Sequence, residues 1–380
     1  MRLTLLARLL SPAAGGLAAS VPAMAGALER AGEVEAHVCG FRDPAAPEAW
    51  RSWGPRVHAL DAYGPAAYRV APGLAAKLRA LAPDVVDVQG LWQDPSRVDL
   101  AHHRRTGTPH VVTPRGMLDP WAVRRSRWKK ALVRAAFEDA HLARAACLRV
   151  TAPMEADHVR AFGLRRPLAV VPNGVDLPTG RRPAAELRPT RRLLFLSRVH
   201  PKKGIAHLLR AWAALAPAFP DWELVVAGPD EVGHTDEMRR LARELAAPRI
   251  TWPGPVHGDA KSRLYHASDL FVLPTHAENF GLVVAEALAH EVPVVTTTNA
   301  PWRGLETEHC GWWFDLADGP LEAALRDALA RSDDDRAAMG RRGRAWMERD
   351  FGWDRVGRAM ADVYRWVVGG GTPPACVVTD

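Results

Sequence analysis

The sequence predicts an α/β protein of two domains, each a parallel sheet covered by helices on both faces. Three observations predict it. Short apolar strands alternate with helical stretches along the whole chain. A length of 380 residues with 48% hydrophobic content is ample for two cores and is more than one domain of ordinary size needs. The stretch from Leu177 to Pro189 breaks the alternation, being rich in Pro, Arg and Gly without an apolar period. The expected division is 1–178 and 179–353, with a terminal segment 354–380.

In order, the first strand runs into Ser11-Pro12-Ala13-Ala14-Gly15-Gly16, where a strand should turn into a helix. Val85–Gln89, His110–Thr113 and Cys147–Thr151 read as further strands of the first domain. Arg192–Val199, centred on Leu193–Leu196, opens the second domain, and Leu224–Ala227, Phe271–Leu273 and Val292–Thr296 follow. Each is a short apolar run bounded by turn residues, the pattern of strands buried on both faces. Ile205–Leu215 reads as an amphipathic helix, and a last helix is expected over Asp354–Val368. Gly369–Asp380 reads as a loose tail. Met1–Ala25 superficially resembles a signal peptide, but Arg8 interrupts the apolar run and Pro12, Gly15 and Gly16 suit a strand-to-helix turn. Cys39, Cys147, Cys310 and Cys376 have neither metal-ligand nor disulfide-framework spacing, so a cytoplasmic chain with reduced thiols is expected.

The richest stretch is His276-Ala277-Glu278-Asn279-Phe280-Gly281-Leu282, continuing through Val283-Val284-Ala285-Glu286-Ala287-Leu288. A strand precedes it and a helix begins near Gly281, so the helix N-terminus offers unpaired amides and a positive dipole end to an anion. A diphosphate fits against the amides of Phe280, Gly281 and Leu282, with Glu278 facing the group it carries. Glu286 lies roughly 7.5 Å further along the axis, within reach of a ribose. Glutamates near a helix start also serve the dipole alone. Glu286, however, sits among apolar neighbours and needs a partner. Two carboxylates repel a diphosphate unless cations intervene, and Ser197-Arg198-Val199-His200-Pro201-Lys202-Lys203-Gly204 supplies them. Arg198 and Lys203 leave the carboxyl end of a strand, the edge where open α/β sheets bind ligands.

These two segments resemble the signatures of the family-four retaining glycosyltransferases, whose fold (GT-B) places two Rossmann-like domains facing a cleft. The resemblance extends to the loop at Gly15 and Gly16, which in the family approaches the donor phosphate. Val171-Pro172-Asn173-Gly174-Val175-Asp176 is similar to the segment closing the first domain, and Val225-Val226-Ala227-Gly228-Pro229 to the nucleoside-side strand and loop. Pro114-Arg115-Gly116-Met117-Leu118-Asp119-Pro120-Trp121, Ala300-Pro301-Trp302 and Cys310-Gly311-Trp312-Trp313 resemble a subgroup that builds bacterial cell-surface polysaccharides.

The resemblance implies a UDP- or GDP-sugar donor, a saccharide acceptor, retention at the anomeric carbon, and no metal or cofactor. It also implies that the last helix returns to the first domain. Glu278, Arg198, Lys203 and Arg115 are then the catalytic candidates. Gly15, Gly16, Asn279, Phe280, Gly281, Leu282, Glu286, Gly228 and Pro229 are the donor-binding ones. Where the subgroup commonly has His before Gly116 and Gly90, this chain has Arg115 and Gln89. Arg115 is no base at neutral pH, so Asp119 and His103 stand as alternatives. Ser332-Asp333-Asp334-Asp335 reads as a capping box rather than a carboxylate metal site.

Residues 1–178 carry 24 Lys+Arg against 16 Asp+Glu, the rest 26 against 27, so the basic excess lies wholly in the first domain. It peaks at Trp121, Arg124, Arg125, Arg127, Trp128, Lys129 and Lys130, expected to form a basic helix interleaved with tryptophan. That composition suits an anionic membrane surface where a lipid-linked acceptor resides. No nucleic-acid module accompanies it, so no nucleic acid is expected as a partner. The enzyme is then expected to be peripheral on the inner face of the cytoplasmic membrane. A nucleotide-sugar epimerase of the same architecture is the alternative, with a basic nucleic-acid-binding protein a more distant one. A dinucleotide oxidoreductase lacks its G-x-G-x-x-G after the first strand.

Overall fold

The computed structural model describes residues 1–380 except Glu33, 66–67, 181–189 and Asp380. It divides into two compact units, Met1–Gly174 with Trp353–Asp380, and Val175–Gly352. Most of the interdomain stretch expected at Leu177–Pro189 lies outside the described residues.

The first unit is an eight-stranded sheet. Its strands are β1 (Arg2–Leu9), β2 (Glu35–Phe41), β3 (Val57–Leu60), β4 (Val85–Gln89), β5 (His110–Thr113), β6 (Cys147–Val150) and β7 (Leu168–Val170). A late strand, Val377–Val378, completes it. The order is β3-β2-β1-β4-β5-β6-β7 with the late strand at the far edge. The second unit holds β8 (Arg191–Leu196), β9 (Trp222–Ala227), β10 (Ile250–Gly254), β11 (Leu270–Leu273), β12 (Val294–Thr297) and β13 (Gly311–Phe314). Its order is β10-β9-β8-β11-β12-β13, every pairing parallel. Each sheet therefore grows outward in both directions from its first strand. The order reverses between β1 and β4 in one unit and between β8 and β11 in the other, and such a switch point opens a ligand crevice at the strand carboxyl ends. The strands are continuous apolar runs such as the fully buried Leu270–Leu273, because helices cover both faces.

The helix Trp353–Gly369 belongs to the first unit, where Gly357 packs on Ala27 of helix Gly16–Arg30. Its Tyr364 hydroxyl donates to Asp87 Oδ2 at 2.6 Å, and Thr113 donates to the other oxygen at 2.9 Å. The terminal residues differ from the expected loose tail. Val377 and Val378 pair antiparallel with Ala169 and Leu168 and so cover the unpaired edge of β7. The basic run also differs from the single helix expected. It forms two short helices, Pro120–Arg124 and Arg127–Val133, broken where Ser126 takes a left-handed φ of 57°. Asp119 caps the first of these by accepting from Trp121 N and Ala122 N. Ser332 caps helix Asp333–Asp350 by accepting from Asp335 N, and its hydroxyl donates to Asp335 Oδ2. Among the described residues no helix is long and apolar enough to cross a membrane.

Candidate functional site

In the second unit the loops after β8 and β11 meet at the switch point. His276 N and Thr275 Oγ1 both donate to Lys202 O, at 2.8 and 3.1 Å, which ties the loops together. Gly204 lets them close. Its φ of 69° and the 1.9 Å that would separate an added Cβ from Pro274 O exclude any other residue without a backbone shift. Gly228 is similar, with φ 138° and an added Cβ 1.8 Å from Ser197 O.

The closure brings Lys203 onto Glu278, whose Oε2 accepts from the lysine Nζ. Both side chains are largely out of water, at 7% and 17% exposure. Burial pushes the Glu278 carboxyl up, but the Lys203 ammonium, helped by Lys202, outweighs it and holds the group below its ordinary value. The Glu278 amide donates to Asn299 O at 3.0 Å. The following turn is propped by Trp302, buried to 2%, whose indole donates to Phe280 O at 2.5 Å. Trp313 donates in turn to Ala300 O at 2.9 Å. Gly281 then starts helix Leu282–Ala289, whose first amides have no acceptor within the helix.

The other expected residues are distributed around this pair. Asn279 N lies 3.2 Å from Glu278 Oε1. Glu286 is already engaged, by Lys261 Nζ at 2.6 Å and by Tyr265 Oη at 3.0 Å. Arg198 is half exposed and bonds Glu231 Oε2 at 2.6 Å, in a segment where Val199 pairs with Pro229–Glu231. Its guanidinium is thus directed to a carboxylate after β9, while Lys203 alone of the two expected cations meets Glu278. Gly228 and Pro229 follow β9 beside a cavity of about 230 Å³ lined by Val199, Gly228, Asp230, Arg239, Trp252 and Gly254.

In the first unit, Gly15 (φ 62°) precedes helix Gly16–Arg30, and Ser11, bonded to Asp43 Oδ2 at 2.5 Å, anchors the turn before it. Arg115 lies after β5 with φ 56°. Its guanidinium donates twice to Gln89 Oε1, at 2.9 and 2.5 Å, and once to Asn173 Oδ1 at 2.8 Å. Burial and then Arg149 pull its pKa down to about 9, so it remains a cation at neutral pH. His103 Nδ1 lies 2.9 Å from Thr108 O, which occupies it locally. Trp121, Trp128 and Leu132 are 49%, 67% and 64% exposed, with Arg124, Arg125, Arg127 and Lys129 exposed around them. Lys130 differs from the expectation, because its ammonium turns inward onto Ala122 O and over the Trp92 ring.

Sequence reasoning missed Lys261 and Tyr265. Their signal was present as two hydrogen-bonding residues one turn apart on helix Gly258–His266. The target of that face was not visible without the tertiary structure.

The doubly wound sheet of the second unit thus sets a buried Lys–Glu pair at its switch point, beside a helix N-terminus, an arrangement suited to an anionic ligand. Residues 15–174 match the glycosyl transferase 4-like domain and residues 181–346 the glycosyl transferases group 1 family. The chain belongs to the family-four glycosyltransferases of the GT-B fold. It is 35% identical over 224 residues to the D-inositol 3-phosphate glycosyltransferase of Salinispora tropica, covering 51% of this chain and 45% of that one. It is 33% identical over 217 residues to the lipopolysaccharide core biosynthesis mannosyltransferase LpsB of Rhizobium meliloti, covering 52% and 60%. The match thus spans about half the length of these curated relatives. The fold is similar to that of sucrose-phosphate synthase from Thermosynechococcus elongatus, at TM-score 0.77 and 21% identity over 98% of this chain and all of that one. It is also similar to Anabaena HepE in complex with UDP-glucose, at TM-score 0.75 and 19% identity over 95% and 98%.

Proposed function

We propose that this protein is a retaining, metal-independent glycosyltransferase that moves a sugar from a nucleoside-diphosphate sugar to a saccharide acceptor. The observation that carries the reading is the buried Lys203–Glu278 pair beside the start of helix Leu282–Ala289. Departure of the diphosphate leaves an oxocarbenium-like sugar. The acceptor oxygen bonds the anomeric carbon on the face that the diphosphate leaves, and its hydroxyl proton passes to the departing diphosphate oxygen. Charge gathering on the leaving oxygen is met by Lys203, the helix amides and, after exchange of its Glu231 partner, Arg198. Glu278 faces the sugar.

The acceptor is proposed to be a lipid-linked saccharide of cell-surface polysaccharide synthesis (exopolysaccharide, O-antigen or capsule), consistent with the likeness to LpsB. Two observations support a peripheral site on the inner face of the cytoplasmic membrane: the exposure of Trp121, Trp128 and Leu132, and the basic residues around them. Each basic residue close to an anionic surface contributes about 1 kcal/mol. Salt-sensitive binding to phosphatidylglycerol vesicles, weakened by Trp128→Ala with Leu132→Ala, is the expected result.

The test of the donor reading is a thermal-shift series with UDP, GDP, dTDP, ADP and NAD, with EDTA present. A ligand that binds only the folded state raises its melting temperature. The expected outcome is a response to one nucleoside diphosphate, lost in Glu286→Ala and weakened in Arg198→Ala. Release of that diphosphate only when acceptor is supplied separates a transferase from an epimerase. A response to NAD alone, or to none, overturns the reading.

A further inference from the structure

The first unit buries a cluster of charge that the donor site does not use. Asp99 lies on helix Asp94–Thr106, His110 opens β5 and His141 lies on helix Asp139–Arg144, and none is more than 1% exposed. His110, His141 and Asp99 bring one ligand atom each within 4.8 Å of the others, and among the described residues no other set of three His, Cys, Asp or Glu is so placed. The outer ring nitrogens are already engaged. His110 Nε2 lies 3.1 Å from His141 O, a carbonyl that only accepts, so this nitrogen carries the ring proton. His141 Nδ1 lies 3.1 Å from Glu138 Oε1, and Glu138 Oε2 accepts from Trp92 N at 2.5 Å, so that carboxylate is itself fixed. The inner nitrogens face Asp99, with His141 Nε2 at 3.0 Å from Oδ2 and His110 Nδ1 at 3.6 Å. The longer separation is no hydrogen bond, and both His110 Nδ1 and Asp99 Oδ1 are buried without a hydrogen-bond partner.

We propose that Asp99, His110 and His141 form a site for a divalent transition-metal ion, zinc by its chemistry, which ties two helices to the start of β5. Two imidazoles and a carboxylate suit Zn2+. Each histidine also has the outer partner, a carboxylate or a backbone carbonyl, that holds a metal-ligating ring in place. A proton on His141 Nε2 satisfies that nitrogen against Asp99. It leaves His110 Nδ1, a bare lone pair, facing a carboxylate oxygen. A dication among the three atoms engages all of them and offsets the buried charge of Asp99 and Glu138. Bonds of about 2.0 Å set tetrahedral ligands about 3.3 Å apart, between the 3.0 and 3.6 Å found here. The two rings are stacked with centroids 4.8 Å apart and planes 6° from parallel. Binding therefore turns them about χ2, a broad torsion in histidine, until both lone pairs meet the ion. Water takes the fourth position. The ion braces the fold and has no part in sugar transfer, so this proposal stands apart from the donor-site reading.

The test uses the full chain without a polyhistidine tag, mixed with zinc and passed through gel filtration. Elemental analysis should find about one zinc per chain in the wild type and under about 0.2 in Asp99→Asn and His110→Gln. Zinc in excess should raise the wild-type melting temperature by about 5 °C or more over that in EDTA, and leave the variants unmoved. Cobalt in place of zinc should give the visible absorption of a four-coordinate site in the wild type, a readout that requires no variant to fold. A wild type that retains neither zinc nor cobalt overturns the proposal, and a doubly protonated His141 seen by nitrogen-15 NMR would then make a proton the occupant. One zinc that both variants keep also overturns it, because the ion then sits elsewhere, for instance at His37 and His58, whose Nδ1 and Nε2 lie 3.0 Å apart.

Discussion

Replacing Lys203 by Met separates the two halves of the site's central pair, and the structure states how much that should cost. The lysine and Glu278 side chains are 7% and 17% exposed, and besides Lys203 the carboxylate has the nearby amide of Asn279 at 3.2 Å. Removing one member of such a pair leaves an uncompensated buried charge, a loss of about 3–5 kcal/mol. In a domain of this size that lowers the melting temperature by roughly 2–4 °C per kcal/mol. Adding Glu278→Gln removes the stranded charge, so the double variant should return to within about 1–2 kcal/mol of wild type. The pH dependence follows from the sign of the shift. In the wild type the Glu278 pKa is depressed, so its contribution is present above the unfolded carboxylate value of about 4.3 and is lost as pH falls through the folded one. In Lys203→Met, burial acts without its main opponent and raises the folded pKa, so the variant is penalised progressively as pH rises from the unfolded value toward the raised folded one. The gap between wild type and variant should therefore widen from pH 4.5 to pH 7.5. Guanidinium unfolding of the wild type, both single variants and the double variant at these two pH values measures it. A coupling energy below about 0.5 kcal/mol, the level of independent sites, or a gap that does not change with pH, would refute the reasoning.

Other consequences are open to the same measurements. His290 is buried, with Nδ1 on Glu286 O and Nε2 on Ser262 Oγ; burial first, then His266, Lys261 and Arg344, bring its pKa to about 4. Because the folded value lies below the unfolded one, its stability contribution is present above pH 6.5 and falls away toward pH 4. The loss amounts to about 3 kcal/mol and should be absent from the pH profile of His290→Gln. Gly204→Ala drives a Cβ into Pro274 O, whereas Gly163→Ala, at φ 98°, meets nothing within 4 Å. The first should cost well over 2 kcal/mol and abolish the nucleotide response, the second about 1 kcal/mol with the response retained. Tyr364→Phe withdraws a donor from Asp87, a fully buried carboxylate, and should cost about 1–3 kcal/mol by guanidinium unfolding.

Much of the fold was legible because buried parallel strands are continuous apolar runs. Val85–Gln89, His110–Thr113 and helix Ile205–Leu215 have the bounds read from the sequence. Ile250–Gly254 was less visible, since Thr251, Pro253 and an outer position dilute its apolar pattern. Val377–Val378 was invisible, because a two-residue strand is defined by the edge it covers rather than by its own residues. At the site, Glu278, Lys203 and Gly281 were legible because motif spacing places them on a strand–turn–helix frame. Arg198 facing Glu231 was not, because two exposed side chains choose partners through the path of their loops.

The sequence by itself determined the alternation of strands and helices, the loops that carry charge at strand carboxyl ends, and the concentration of basic charge in the first domain. Those properties are local, set by the periodicity of apolar residues and by which residues tolerate a turn. Only the tertiary structure decided which lysine meets which glutamate. Lys203 and Glu278 are 75 positions apart and Lys261 and Glu286 are 25 apart. Sheet order brings the loops after β8 and β11 side by side, and the packing of helix Gly258–His266 beside helix Leu282–Ala289 supplies the second pair. Long-range partners depend on topology, and topology is a property of the whole unit rather than of any segment.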